Sequence, residues 1–355
     1  MISENQKIKF AVVGCGHIGK RHAEMILGNT EAELVALCDA GKKEELGIEK
    51  YNVPFFNSID ELLNSKLNFD VVNICTPNGL HAEHSIKVLE KKYHVVCEKP
   101  MGLTKSQCEE VIFKALQVSK NFFCVMQNRY SPPSVWIKEI IEQKVLGDIF
   151  MVQLNCYWNR DDRYYKKGGW KGTQELDGGT LFTQFSHFID IMYWLFGDIT
   201  NIQAKFKDFT HQNSTDFEDS GFVSFDFING GIGCLNYSTA IATQNLESSI
   251  TIIGKKGSVK IGGQYMNEVE VCNIDGYKMP KLAEANPPND YGPYKGSAAN
   301  HHYIIENVID TLKGRTTATT NALEGLKVVE IIERIYQLRD ATLLKQNTNS
   351  KLKEV

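Results

Sequence analysis

The chain has 355 residues, with 39 Lys+Arg against 43 Asp+Glu, a formal net charge of −4 and 42% hydrophobic residues. That near-neutral balance excludes nucleic acid or an anionic membrane surface as the dominant partner, and the apolar fraction is that of an ordinary soluble protein of about two domains. The nine cysteines form no C-x-x-C pair and are odd in number, which points to reduced thiols in a cytoplasmic compartment rather than to disulfides or a metal site.

Met1–Phe10 is mostly polar, so no secretory leader is expected there. The densest apolar run, Phe188–Phe196, is broken by Asp190, so no membrane span is expected either.

From Ile8 to Met126, short apolar runs alternate with helical patterns. Ile8–Val13, Leu34–Cys38, Val71–Cys75, Val95–Cys97 and Phe122–Met126 are apolar at nearly every position, as parallel strands buried on both faces require. Between them, helices are expected over Ile18–Leu27, Glu44–Tyr51, His81–Lys91 and Lys105–Ser119. Ser58 with Glu61 and Thr104 with Gln107 have the spacing of capping boxes. This alternation predicts a doubly wound α/β, Rossmann-type domain over residues 1–126.

Residues 127–342 read differently, as an α+β domain built on a large, mostly antiparallel open sheet. After a helix over Pro133–Gln143, strands are expected at Ile149–Trp158, Ile199–Phe209, Phe217–Ile228, Ile232–Thr239, Ser249–Ile253, Ser258–Ile261 and Val269–Cys272. Asn229-Gly230-Gly231 and Gly254-Lys255-Lys256-Gly257 have hairpin chemistry. Helices are expected near Gly179–Phe196, Ala299–Leu312 and Ala322–Arg339, followed by a polar tail over 343–355.

The strongest chemical signal is the turn after the first strand, Gly14-Cys15-Gly16-His17-Ile18-Gly19. In such a turn Gly14 permits the bend, Gly16 admits a pyrophosphate and Gly19 lets helix and strand pack, while the helix N-terminus offers free N–H groups to phosphate. Asp39 follows Gly19 by 20 residues at the end of the second strand. It is placed to accept a ribose 2′-hydroxyl and to repel a 2′-phosphate, which favours NAD over NADP. Lys42 and Lys43 lie close behind it and soften that preference.

Two more strand ends carry polar residues where parallel sheets bind ligands. Thr76-Pro77-Asn78 is followed by His81, which is either a cofactor contact or a solvated first-turn residue. The other strand end carries Glu98-Lys99-Pro100.

Together, the glycine turn, Cys75-Thr76-Pro77-Asn78 with His81, and Glu98-Lys99-Pro100 resemble the glucose–fructose oxidoreductase/inositol dehydrogenase family across nearly the whole chain. The resemblance implies that Lys99 lies beside the nicotinamide and the substrate hydroxyl, and that Glu98 helps position the cofactor. Gly178-Gly179-Thr180 to Asp190 looks like the family's glycine-led helix, and His187 matches its histidine. Thr183 stands where an aspartate is usual, and on an α-helix it would share a face with His187.

Oxidising a secondary alcohol needs a hydride acceptor and a base for the hydroxyl proton. Lys99 is the favoured acid/base, with His187 binding or polarising the reacting oxygen; His187 is the competing base, or else a core histidine. Tyr157-Trp158-Asn159-Arg160, Tyr164-Tyr165 and Trp170-Lys171-Gly172 offer rings for a sugar face and cations for anionic groups. They fit ordinary packing equally well. The Trp-Lys-Gly run is similar to family members that oxidise the 3-hydroxyl of UDP-N-acetylglucosaminuronate, which also tend to lack the usual aspartate.

Asn128 is expected to meet the cofactor, and Arg129 either a phosphate or carboxylate or an ordinary salt-bridge partner. His301 and His302 point in different directions and are not read as a metal pair. The expected reaction is NAD-dependent hydride transfer from a sugar or sugar nucleotide. The alternatives are a dehydrogenase of a free polyol or sugar, and a cofactor-binding sensor without turnover. A homodimer or homotetramer through the open sheet is expected, with Phe206, Phe225, Phe227 and Tyr237 contributing.

Overall fold

A computed structural model describes residues 3–351, with side chains as far as Asp340. The chain divides into two compact units, one of residues 1–127, 175–178 and 300–329, the other of 128–174, 179–299 and 330–355.

The first unit is a six-stranded parallel sheet. In chain order its elements are β1 (Ile8–Val13), α1 (His17–Gly28), β2 (Ala32–Cys38), α2 (Lys43–Leu46), β3 (Phe55–Phe56), α3 (Ile59–Leu63), β4 (Val71–Ile74), α4 (His81–Glu90), β5 (His94–Cys97), α5 (Lys105–Gln117) and β6 (Phe122–Cys124). The strand order β3-β2-β1-β4-β5-β6 reverses direction between β1 and β4, where sheets of this class bind ligands. β4 has every residue buried and β1 all but Lys9, which is why their sequences carry almost no alternation.

The expected helix over Glu44–Tyr51 is instead the short α2 and a 3₁₀ turn at Glu49–Tyr51, separated by Gly47 in the left-handed region at φ +64°. The Thr104 box is complete: Gln107 N–H donates to Thr104 Oγ1 and Thr104 N–H to Gln107 Oε1, each at 3.2 Å. At Ser58 only half the box forms, because Glu61 Oε2 accepts from Asn57 N–H instead.

The second unit is built on a seven-stranded sheet. Its elements are α6 (Pro132–Glu142), β7 (Ile149–Tyr157), α7 (Ser186–Phe196), β8 (Ile199–Lys207), β9 (Ser220–Phe227), β10 (Ile232–Ser238), β11 (Glu247–Gly254), β12 (Gly257–Gly262) and β13 (Glu268–Ile274). The order is β13-β12-β11-β7-β10-β9-β8. Both glycine turns close antiparallel hairpins as expected, while β7 and β10 pair in parallel at the centre. A two-stranded ribbon, β14 (Pro288–Asp290) with β15 (Lys295–Ala298), was not legible in the sequence.

The α7 helix covers the inner face of this sheet, where Phe196 meets Phe227 at 5.3 Å and Phe188 meets Trp158 at 5.6 Å between ring centres. Phe225, Phe227 and Tyr237 therefore lie buried inside the unit, and their expected part in an oligomer surface is overturned. Strand alternation turns their neighbours outward instead: Phe222, Ile232 and Met151 are exposed, beside Asn155 and Asn236, which hydrogen-bond each other.

Two closing helices, α8 (His301–Leu312) and α9 (Ala322–Lys351), complete the chain. Residues 300–329 cluster with the parallel sheet. Cys124 N–H donates to the Thr320 carbonyl, and Lys313 and Arg315 both bind Glu31 at the foot of β2. Helix α9 runs to Lys351 rather than ending near Arg339, so the expected polar tail is helical over 343–351. Residues 352–355 of that tail lie outside the described residues.

No helix of the described residues is long and apolar enough to cross a membrane.

Candidate active site

The glycine turn has the geometry its spacing implies. Gly14 has φ +92°, and a Cβ there would sit 2.4 Å from the Cys75 carbonyl oxygen. A Cβ on Gly19 would fall 1.7 Å from the Gly14 carbonyl oxygen, so α1 can approach β1 only if that residue is glycine. Around Gly16 there is open space, with nothing within 4 Å of a Cβ position. Gly16 caps α1, and His17 and Ile18 are its first two residues, where helix geometry leaves N–H groups without intrahelical acceptors.

Asp39 is fixed by its own backbone neighbours: Oδ2 accepts from Cys15 N–H at 2.6 Å and Oδ1 from Gly41 N–H at 2.7 Å. The carboxylate is thereby tied to the glycine turn itself. Lys42 is exposed and pairs with Glu45. An open Gly16, helix N–H groups and an oriented carboxylate fit a dinucleotide bearing a free 2′-hydroxyl. Burial raises the Cys15 and Cys38 thiols to about 12, so the cysteines beside this turn stay neutral.

At the second strand end, the residues chiefly brace the backbone. Asn78 Nδ2 donates to the Asp177 carbonyl and Gly79 N–H to the Leu176 carbonyl, so this turn clamps the segment that leads into Gly178. The Asn78 side chain is thus held by the backbone of that segment. His81 is not a solvated first-turn residue. It is buried with both ring nitrogens at backbone carbonyls, Nδ1 2.6 Å from Pro100 and Nε2 2.8 Å from Thr76. Burial lowers its pKa despite those carbonyls. His81 therefore staples the Thr76-Pro77 turn to the residues around Lys99, and Thr76 Oγ1 bonds His84.

The third strand end holds a buried polar cluster. Asn73 Nδ2 donates to His22 Nδ1 at 2.8 Å, which leaves the His22 proton on Nε2, 2.9 Å from Glu98 Oε1. Glu98 Oε2 accepts from the Lys99 backbone N–H at 3.3 Å. Burial alone would raise the Glu98 pKa, but the rings of His22 and His301 outweigh it and hold the carboxyl well below the ordinary carboxylate range. The sequence singled out Glu98 and Lys99 but missed His22 and Asn73; His22 follows Gly19 by three residues on the buried face of α1, a periodic signal that was available.

In the second unit, Gly179 at φ +138° opens the glycine-led segment, and a Cβ there would meet Tyr336 Oη at 2.6 Å. Tyr336 Oη–H donates to the buried Glu218, and the Leu181 N–H donates to Tyr336 Oη. Leu181–Phe185 is a π-helical turn, and regular α-helix begins only at Ser186. The shared face expected for Thr183 and His187 assumed an uninterrupted α-helix, and the wider turn removes that assumption. His187 is buried in the first turn of α7, and Thr183 is half-buried in the π turn.

Arg129 does not stand ready for a phosphate or carboxylate. It is buried, makes a two-point ion pair with Asp190 and lies over the Trp194 ring. Arg160 is likewise committed: four of its N–H groups bond Gln184 Oε1, the Asn159 carbonyl, Asn245 Oδ1 and the Lys295 carbonyl. Its guanidinium lies over Trp158, Tyr164 and Tyr294. Lys171 Nζ stands 3.9 Å from the Tyr164 ring centre, with Trp170 at 5.9 Å, and bonds Tyr294 Oη. The cations of this stretch thus lie over its own ring faces. Asn128 Oδ1 accepts from Ser297 Oγ–H at 2.5 Å while its buried Nδ2 has no partner among the described residues, an orphan donor of the kind a bound ligand satisfies.

The model of the oxidoreductase family GFO_IDH_MocA with an NAD-binding Rossmann fold matches residues 8–125, and that of its C-terminal alpha/beta domain matches residues 138–340. Among solved structures, the chain is similar to the WlbA dehydrogenase from Chromobacterium violaceum in complex with NADH and UDP-GlcNAcA, at 32% identity and a TM-score of 0.85 over 96% of this chain and 97% of that one. The corresponding Bordetella pertussis complex gives 31% identity and a TM-score of 0.83 over 95% and 98%. A curated relative, the 2,7-anhydro-N-acetylneuraminate hydratase of Escherichia coli, is 27% identical over 72% of this chain and 68% of its own length. With both family models matched, the chain belongs to the GFO_IDH_MocA family of oxidoreductases.

Proposed function

We propose that this protein is an NAD-dependent dehydrogenase that oxidises the 3-hydroxyl of a UDP-N-acetylhexosaminuronate. The observation that carries the reading is end-to-end similarity to two dehydrogenases crystallised with NADH and UDP-GlcNAcA. It is supported by Trp170-Lys171-Gly172 and by Thr183 in place of an aspartate.

The nicotinamide, when bound, accepts the hydride from the carbinol carbon. The chain's residues do the rest. The Gly14–Gly19 turn and the first N–H groups of α1 bind the pyrophosphate, and Asp39 accepts the ribose hydroxyl. The orphan Asn128 Nδ2 donates to the cofactor. Lys99 takes the hydroxyl proton as the alcohol is oxidised and returns it in the reverse direction. His187 donates to or accepts from the reacting oxygen, while Thr183 and Lys171 bind the sugar nucleotide. A homodimer or homotetramer assembled on the outer sheet face around Phe222 and Ile232 belongs to the same proposal, as does a cytoplasmic setting, which nine cysteines with no C-x-x-C spacing suit.

The test is a substrate panel with NAD⁺, read as NADH formation. UDP-GlcNAcA is expected to turn over, with UDP-GlcNAc, free glucose and an inositol far slower. Lys99→Ala is expected to slow single-turnover hydride transfer by about 10²–10⁴-fold. Equal rates on inositol would move the assignment to a free polyol. The hydratase relative makes a second outcome concrete: addition of water to a substrate with no net NADH would replace the dehydrogenase reading.

A further inference from the structure

One buried group in the first unit is left unexplained by the site as described. His301 opens α8 and is 2% exposed, and neither of its ring nitrogens has a hydrogen-bond partner among the described residues. Such an imidazole is costly inside a protein, and buried polar atoms are otherwise nearly always satisfied. Yet its Nε2 stands 3.4 Å from Glu98 Oε1, and its ring meets that of His22 edge-on at 5.6 Å. The start of α8 is pinned there, because the Asn300 side chain donates to the Gln127 carbonyl.

Glu98 is thus approached on one oxygen by two histidines and on the other by the Lys99 backbone. His22 has its proton assigned by Asn73 and makes a bond of normal length. His301 has no such assignment. We propose that His301 is a positioning residue that acts through Glu98 on Lys99: its Nε2, 3.4 Å from Oε1, comes within bonding reach as the carboxylate turns and so keeps it near the rotamer whose other oxygen fixes the Lys99 backbone. Glu98, just past β5, and the His22 ring of α1 lie against His301, and Arg21 of α1 adds its charge nearby. The carboxylate is the one anion among these three groups.

This assignment explains why a histidine is buried without a bond of ideal length. A short, saturated pair would freeze Glu98, whereas a donor 3.4 Å away tightens or relaxes as the carboxylate turns between its neighbours. It also separates the two rings: His22 supports the carboxylate permanently, and His301 restrains its rotation. The inference rests on the proposed function only in treating Lys99 as the reactive amine.

The test reads that amine directly in the full-length protein without substrate, so failure of the substrate assignment leaves it intact. Lys99 is labelled with an amine-acylating reagent across pH, and labelled peptides are quantified by mass spectrometry with an exposed lysine such as Lys42 as internal reference. In His301→Leu, Glu98 loses the imidazole beside Oε1 and its charge bears more strongly on Lys99. The pH of half-maximal labelling is then expected to rise by about one unit, a tenfold loss of reactive amine at fixed pH. His301→Gln, whose amide can donate to Oε1, is expected to restore the wild-type profile, which a purely space-filling role would not require. An unchanged Lys99 profile in folded His301→Leu overturns the proposal. Should that variant not fold, ¹⁵N-histidine spectra of wild type and Glu98→Gln decide: the His301 Nε2 resonance must move when the carboxylate is neutralised, and a stationary resonance overturns it.

Discussion

Arg129 and Asp190 form a two-point ion pair in the interior of the second unit, Nη2 to Oδ1 at 2.6 Å and Nε to Oδ2 at 2.9 Å, with both side chains at 0% exposure. Its partners lie on the turn that follows β6 and in the middle of α7, so the pair fastens the helix that carries His187. Removing one partner strands a buried charge, which costs about 3–5 kcal/mol. Asp190→Asn is therefore expected to lower unfolding free energy by that order in a denaturant titration. Removing both charges should cost less than the sum of the single changes. If Arg129→Lys instead weakened substrate binding while leaving stability untouched, the arginine would return to the ligand set.

The two glycines that flank His17 and Ile18 separate folding from binding. Gly19 has no room, with a backbone oxygen 1.7 Å from where a Cβ would lie, whereas Gly16 faces open space. Gly19→Ala must shift α1 against β1 and is expected to cost about 2 kcal/mol or more of stability. Gly16→Ala keeps a permitted φ of −66°, so the free protein should melt within about 0.5 kcal/mol of wild type. Its methyl group stands where a pyrophosphate approaches, and NAD affinity measured by calorimetry should fall about tenfold or more. Unaltered NAD affinity in Gly16→Ala would place the pyrophosphate elsewhere.

Legibility followed the range of the interaction. β1 is read to the residue, because a strand buried on both faces writes its burial into a continuous apolar run. The Thr104–Gln107 box and the Gly14 turn were equally plain, being local chemistry between residues a few positions apart. Parallel pairing of β7 with β10 was not, since turn residues report only on neighbours along the chain. The same limit hid the site's supports. The bond that holds Asn78 reaches Asp177 across 99 positions, and the one that holds Arg129 reaches Asp190 across 61, so neither left a local trace. Sequence spacing identified which side chains carry chemistry, and the fold showed which of them were already occupied.

Asp39 gives a prediction about cofactor choice. Its two oxygens hold Cys15 N–H and Gly41 N–H, leaving lone pairs for a ribose and negative charge against a 2′-phosphate. Asp39→Asn keeps one acceptor oxygen but removes the charge. The ratio of NAD to NADP affinity is expected to fall at least about tenfold, mostly through a gain for NADP, as one charge contact of about 1.4 kcal/mol would give. Equal losses for both nucleotides would mean that the carboxylate serves only to brace the glycine turn.

Acid sensitivity should trace to His94 at the start of β5. Burial and Lys120 lower its pKa to about 4, and its Nδ1 accepts from Asn121 N–H, a bond only the neutral ring can make. An unfolded histidine titrates near 6.5. The folded pKa is the lower one, so the unfolded chain binds the extra proton: this contribution is fully present above pH 6.5 and is lost as pH falls toward 4. At about 1.4 kcal/mol per pH unit, the loss reaches roughly 3 kcal/mol across that window. His94→Gln removes the titration. Its unfolding free energy between pH 7 and 4, followed by denaturant titration, should therefore be flatter than that of wild type, and parallel curves for the two proteins would assign the acid transition to another group.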